Sequence, residues 1–166
     1  MPDTHQVLNQ PPPLVNYNLY TSDVVLSQGI SRGGAKWHHD ALTRFGAKVG
    51  SARFMELGRL ANRHPPKLHT HDRFGHRIDE VEFHPAWHEV IAAGVEAGVH
   101  SLPWRQDAPD GSHVARVAAH YLLTQIEAGV GCPLTMTFAA VPALRKQPEI
   151  SAIWEPRLTS QTYDAR

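Results

Sequence analysis

The sequence predicts a mainly α-helical domain, a bundle of about five or six helices with one small β-hairpin. Three observations carry that reading. Apolar residues recur at helical spacing through most of residues 21–145. Pairs such as Gly33-Gly34 and Pro65-Pro66 stand where such runs stop. The period breaks in one place, KLHTHDRFGHRIDEVEF (67–83), around a turn signal. With 166 residues, 42% hydrophobic and 19% charged, the chain can enclose one core, and its composition is not that of a disordered segment.

Residues 1–20 read as an extended arm. Pro11, Pro12 and Pro13 favour polyproline geometry, and Val7, Leu8, Leu14, Tyr17, Leu19 and Tyr20 are too apolar for a free tail. The arm is expected to lie along a surface or a partner subunit. A first helix begins near Thr21 or Ser22 as cap, with Asp23 in the positive first turn, and stops at Gly33-Gly34. A second fits Asp40 to Val49. A third is capped by Ser51 and ends before Pro65, with Phe54, Leu57 and Ala61 on one face and Leu60 beside them. Asp72-Arg73-Phe74-Gly75 suits a type I turn, with Asp first and Gly fourth, at the tip of a hairpin. Helix resumes at His84-Pro85, with Trp87, Val90, Ile91 and Val95 as its apolar stripe and Gly98 as its stop. Residues 101–111 read as a loop. The clearest helix runs over 112–128, with Val114, Val117, Ala118, Tyr121, Leu122 and Ile126 at helical spacing and Gly129 and Gly131 ending it.

GCPLTMTFAAVPAL (131–144) follows. It falls short of the roughly 20 apolar residues a membrane helix needs. Apolar residues lie all round it, so it is expected to be a buried helix, entered through Gly131-Cys132-Pro133 and bent or ended near Pro142. Thr135 and Thr137 point about 200° apart on a helix and cannot both face one ligand. A buried Thr hydroxyl finds its cheapest partner in the carbonyl four residues back. Residues 146–166 show no strong periodicity.

Charge and motifs exclude more than they assign. Formal net charge is zero, so no global field steers the chain to nucleic acid or anionic lipid. The polar, Pro-rich start is neither signal nor transit peptide, and the single Cys132 fits a reducing cytoplasm. Cys132 lacks a base and an oxyanion site at recognisable spacing, and reads as a small buried thiol. The basic residues Arg59, Arg63, Lys67, Arg73 and Arg77 precede the acidic Asp79, Glu80, Glu82 and Glu89. These blocks are expected to pair with each other or a neighbouring subunit. Among twelve histidines, His84 and His88 stand four apart, the spacing of a helical metal pair, without an HExxH or Cys companion.

Five stretches in order, VLNQPPPLVNYNLY (7–20), ELGRLAN (56–62), DEVEFHPAWHEVI (79–91), HVARVAAHYLLTQIEAG (113–129) and CPLTMTFAAVPAL (132–144), give the chain a family resemblance. It resembles the N-terminal helical domain of the AidB-like branch of the acyl-CoA dehydrogenase superfamily. The resemblance implies an FAD-dependent, homo-oligomeric flavoprotein, typically a tetramer. Its reaction would be α,β-desaturation of an acyl-CoA, with an association with DNA alkylation damage and DNA binding through a C-terminal region. On that pattern the domains are the arm 1–20, the helical domain 21–145, and a segment 146–166 leading to a β-domain. The flavin-contacting MTEKQGGSD-type segment has no counterpart here, nor do the regions of the catalytic carboxylate and DNA binding. The chain is therefore expected to be a fragment or short product that retains no FAD alone. The resemblance also implies that the helix after Gly131-Cys132-Pro133 lines the acyl and flavin cavity, with Thr135, Met136, Thr137 and Phe138 as candidates. Two other readings compete: a non-catalytic oligomerisation module, and a metal-binding helical protein built on His84 and His88.

Overall fold

The structure, a computed structural model, describes residues 4–165. The first three residues of the expected arm and Arg166 lie outside the described residues. Seven α-helices form among them: α1 Val24–Arg32, α2 His39–Val49, α3 Ala52–Arg63, α4 Pro85–Glu96, α5 Ser112–Thr124, α6 Gly131–Leu144 and α7 Pro148–Leu158. One antiparallel hairpin, β1 Lys67–His71 and β2 Arg77–Glu82, separates α3 from α4. Short 3₁₀ turns precede α2 and occupy Leu102–Trp104, inside the expected loop.

The helix starts follow from capping. Asp23 is the cap of α1, accepting from Leu26 N at 2.8 Å, so the helix begins one residue later than a Ser22 cap and two later than a Thr21 cap would place it. Ser51 caps α3 as expected, accepting from Phe54 N. Pro85 opens α4, and Gly98 follows it at φ +72, the left-handed position that ends a helix.

The extended arm ends in the core. Val7, Leu8 and Leu14 are exposed, but Leu19 and Tyr20 are buried. Residues 16–20 dock on the α2–α3 corner, where Tyr17 N donates to Gly50 O and Leu19 N to Gly46 O. Both glycines are needed for closeness rather than for unusual torsions. A Cβ on Gly50 would lie 1.8 Å from Tyr17 O, and one on Gly46 2.5 Å from Asn18 Oδ1.

The helix α5 sits at the centre, touching α1, α2, α4 and α6. Its buried face is made of Ala115, Ala118, Ala119, Leu122 and Leu123, whereas Val117 and Tyr121 are exposed. Small side chains let neighbouring helices approach; of the expected stripe, Ala118 and Leu122 are buried and Val114 and Ile126 pack against the core, and only Val117 and Tyr121 fall outside the packed face. α5 also ends at Thr124, not at Gly129. The buried carboxylate of Glu127 accepts from Gly129 N and Val130 N at 2.8 and 2.7 Å and turns the chain there. Gly131 is accordingly the first residue of α6, not a stop.

The 146–166 segment, where periodicity looked weak, contains α7. Its apolar residues Ile150, Ile153 and Trp154 are exposed, and Arg145 and Glu155 pair beside it at 2.5 Å. After α7 the chain returns over α4: His100 Nε2 donates to Ser160 O, and His88 Nδ1 lies 2.6 Å from the Tyr163 hydroxyl.

The hairpin has the expected Asp72–Gly75 turn, with Gly75 N donating to Asp72 O. A bulge between His69 and His71, facing Asp79 at φ +46, breaks the alternation. Both of its faces are exposed, Leu68 and Val81 included. Arg77 pairs with Asp79 and His69 with Glu82, but Arg59 turns to Glu56 on its own helix, so the opposed charge blocks pair only in part. No helix among the described residues is long and apolar enough to cross a membrane.

Candidate functional site: the open face of an apolar helix

α6 is apolar almost throughout, yet only Gly131, Leu134 and Val141 are buried on it. The expectation of a helix buried on all sides is corrected: one face packs and the other is open. At 100° per residue, Leu134, Phe138 and Val141 fall on the inner side, while Cys132, Met136, Ala139 and Ala143 fall opposite. Met136 is 68% exposed. Cys132 is exposed too, contrary to the buried thiol expected, and its Sγ lies 4.0 Å from Met136 Sδ. Nothing among the described residues covers this face, and composition alone does not distinguish core from such a surface. Pro142, the expected bend or end of the helix, is exposed inside its last turn, and α6 ends two residues later at Leu144.

The four candidate residues are divided by this geometry. Met136 and Thr135 are on the open side. Thr137 is half-buried and donates its hydroxyl to Pro133 O at 2.9 Å, the back-bond anticipated for a threonine here. Phe138 turns inward, stacks on Trp104 with centroids 4.8 Å apart, and carries the Arg116 guanidinium 3.8 Å above its ring. Thr135 and Thr137 therefore present to different surroundings.

Sequence reasoning missed Arg116. It lies on the packed side of α5, 7% exposed, with Nε donating to Val99 O at 2.7 Å and Nη2 reaching Thr135 Oγ1 at 3.4 Å. No carboxylate pairs with it among the described residues. Burial holds its pKa below the usual arginine range, and the Phe138 ring supplies part of the missing counter-field. Trp104 Nε1 donates to Phe138 O at 2.9 Å, which joins the 102–104 turn to α6. The signal for Arg116 was its position: a lone cation within the apolar run VARVAAHYLL. Beside the first turn of α6 a cleft of about 480 Å³ opens between Asn62, Phe83, Trp87, Glu127 and Pro133.

The histidine pair is not brought together as a ligand pair. His84 is the cap of α4, its Nδ1 accepting from Ala86 N, and its ring stacks on His64. His88 bonds Tyr163 instead. A capping residue lies outside the helical repeat, so the four-residue spacing does not set one face here. Among the described residues no group of three His, Cys, Asp or Glu side chains could hold a metal ion.

Comparison with known proteins accords with this architecture. Residues 9–165 match the family model described as the adaptive response protein AidB N-terminal domain. Over 163 residues the chain is 48% identical to AidB of Escherichia coli (strain K12), which carries an acyl-CoA dehydrogenase name; the match covers 98% of this chain and 30% of that protein. It is 31% identical over 133 residues to acyl-CoA dehydrogenase family member 11 of Caenorhabditis elegans, covering 77% of this chain and 21% of that one. Among solved structures, C. elegans ACDH-11 in complex with C11-CoA superposes with a TM-score of 0.80 at 23% identity, over 96% of this chain and 29% of that one. Bd2924 in its apo form gives 0.81 at 24% identity, over 91% and 31%. These two structures speak to the fold alone. The chain spans 30% of the length of AidB and 21% of the nematode relative. With nearly its whole length matched by one family model, the chain belongs to the AidB N-terminal domain family.

Proposed function

We propose that this chain is the N-terminal helical domain of an FAD-dependent flavoprotein of acyl-CoA dehydrogenase type, and that the open face of α6 forms one wall of its acyl and flavin cavity. The observation that carries the reading is the exposure of an uncharged apolar face, Cys132, Met136, Ala139 and Ala143, on a helix that is apolar almost throughout. That face carries no charged group and one hydroxyl, Thr135, a lining that suits an acyl chain or the flat side of a flavin. When bound, FAD supplies the hydride acceptor for desaturation. The residues of α6 exclude water and hold the acyl chain by apolar contact, while Arg116 and Phe138 fix the helix from behind. Homo-oligomer formation, and a part in the response to DNA alkylation, belong on this reading to the whole polypeptide.

Maleimide labelling of Cys132 tests the assignment. The thiol should react freely in the 166-residue chain and be protected when the domain is part of a flavin-loaded polypeptide saturated with an acyl-CoA. Equal labelling rates in the two settings would remove α6 from the cavity. Failure of that flavin-loaded polypeptide to bind any acyl-CoA would remove the function.

A further inference from the structure

We propose that the cavity between α2, α4 and the turn at 102–105 binds a small organic oxyanion, a carboxylate or phosphate group carried on a short apolar or one-ring body. The cavity has a volume of about 260 Å³, just below the usual range for drug-sized ligands and enough for a small one. Its floor is core: Leu42, Ala93, Leu102 and Ala119 line it, and Phe45 forms a wall. Around that floor stand Arg44, Lys48 and Arg105, with His38 between them and Glu96 as the single acid of the lining.

The charge balance leaves two cations without an acid. Glu96 already holds Lys48 at 2.8 Å. The side chains of Arg44 and Arg105 make no hydrogen bond or ion pair with the described residues. Arg105 Nε is buried and unpartnered. An unmade bond from a buried guanidinium N–H costs more than a typical made one returns. The planar fork of arginine matches two oxygens of a carboxylate or phosphate side by side. The Arg105 guanidinium lies beside Gly98, where an added Cβ would come within 2.8 Å of its Nη2.

His38 reports the field. Burial first, then the charges of Arg105 and Arg44, hold its imidazole below the usual range. The groups acting on this spot are Arg44 and Lys48 of α2, Glu96 of α4 and Arg105 of the turn. An oxyanion seated between Arg44 and Arg105 offsets both positive charges, so its binding should move His38 back up.

Titration of the chain with phenyl phosphate, benzoate and benzyl alcohol, followed by calorimetry and by the His38 ring resonances, tests the proposal. Both oxyanions should saturate, benzyl alcohol should not, and the His38 titration should move to higher pH when the site is filled. Arg44→Gln and Arg105→Gln should each weaken phenyl phosphate binding by about tenfold or more, the usual scale of one charge-assisted bond. Arg53→Gln, whose native side chain pairs with Glu89 elsewhere on the surface, should leave binding unchanged. Arg44 is exposed, so its replacement leaves the core intact, and circular dichroism checks both variants. No saturation by either oxyanion would overturn the proposal. So would binding by both variants as tight as the parent's, or binding of an acidic peptide alone, which would make the rim a protein contact.

Discussion

Replacing Gly50 by alanine isolates the docking of the N-terminal arm. Gly50 has φ −77 and ψ −1, torsions alanine adopts freely, so backbone strain does not enter. The obstacle is the Tyr17 carbonyl, 1.8 Å from where the new Cβ would stand. The arm cannot shift locally, because Tyr17 and Leu19 donate to Gly50 and Gly46, and Leu19 and Tyr20 are 3% and 0% exposed. Residues 16–20 must lift together. That forfeits two backbone hydrogen bonds at about 1 kcal/mol each. It also uncovers part of two side chains whose full burial is worth about 1.5–3 kcal/mol apiece. Reduced freedom of the unfolded chain returns about 0.4–1 kcal/mol. The net loss is about 2–4 kcal/mol, or roughly 4–16 °C in Tm for a domain of this size. Thermal and urea melts measure it. Gly29→Ala is the matched control: it lies inside α1 with nothing within 4 Å of the added Cβ, and should stabilise by up to about 1 kcal/mol. A Gly50→Ala melt at or above the parent would refute the docking argument.

Two further outcomes follow from the interior. Phe138→Leu removes both the ring beneath Arg116 and the stack on Trp104, and should cost about 1–3 kcal/mol in urea melts; a loss within error would mean that the guanidinium is not held by the ring. Stability should also fall with pH below the ordinary histidine range. Burial holds His38, His100 and His120 below their usual values, so the unfolded chain takes up protons that the native chain refuses. That stability is fully present above about pH 6.5 and is lost as pH falls through the lowered native values. His100 is the sharpest case: with Nε2 donating to Ser160 O, protonation would place a buried N–H on Nδ1, which has no partner. Urea melts between about pH 7.5 and 5 should lose stability at up to about 1.4 kcal/mol per pH unit for each such histidine. His100→Gln should flatten the slope, and an unchanged slope would exclude His100 as a contributor.

Helix positions were legible where a cap or a stop acts locally. Ser51, Pro85 and Gly98 decide their helix ends through their own backbone chemistry, and each stands where the residues implied. Ends set by distant groups were not legible. α5 stops at Thr124 because Glu127 folds its carboxylate onto the amides of Gly129 and Val130, a use of an acid that periodicity cannot express. α7 was obscured because its apolar residues Ile150, Ile153 and Trp154 do not face the core of this chain, so they look like noise to a search for a buried stripe. The His84–His88 pair failed for a related reason. Spacing assigns a face only to residues inside the helix, and His84 is spent on the cap.

The candidate site shows where such reading ends. A run that is apolar on every side says only that each side avoids water, not what replaces the water. In α6 the inner side is answered by Leu134, Val141 and the Phe138–Arg116–Trp104 cluster. The outer side, with Met136 68% exposed and Cys132 beside it, is answered by nothing among the described residues. Leaving such a face in water forgoes about 25 cal/mol per Å² of apolar surface, so a helix selected only for this domain's own packing gains nothing from being apolar there. An amphipathic sequence with polar residues at 132, 136, 139 and 143 would fold this domain equally well. The retained apolar residues point to a second contact, and the reading of α6 as a cavity wall rests on that excess rather than on any single threonine.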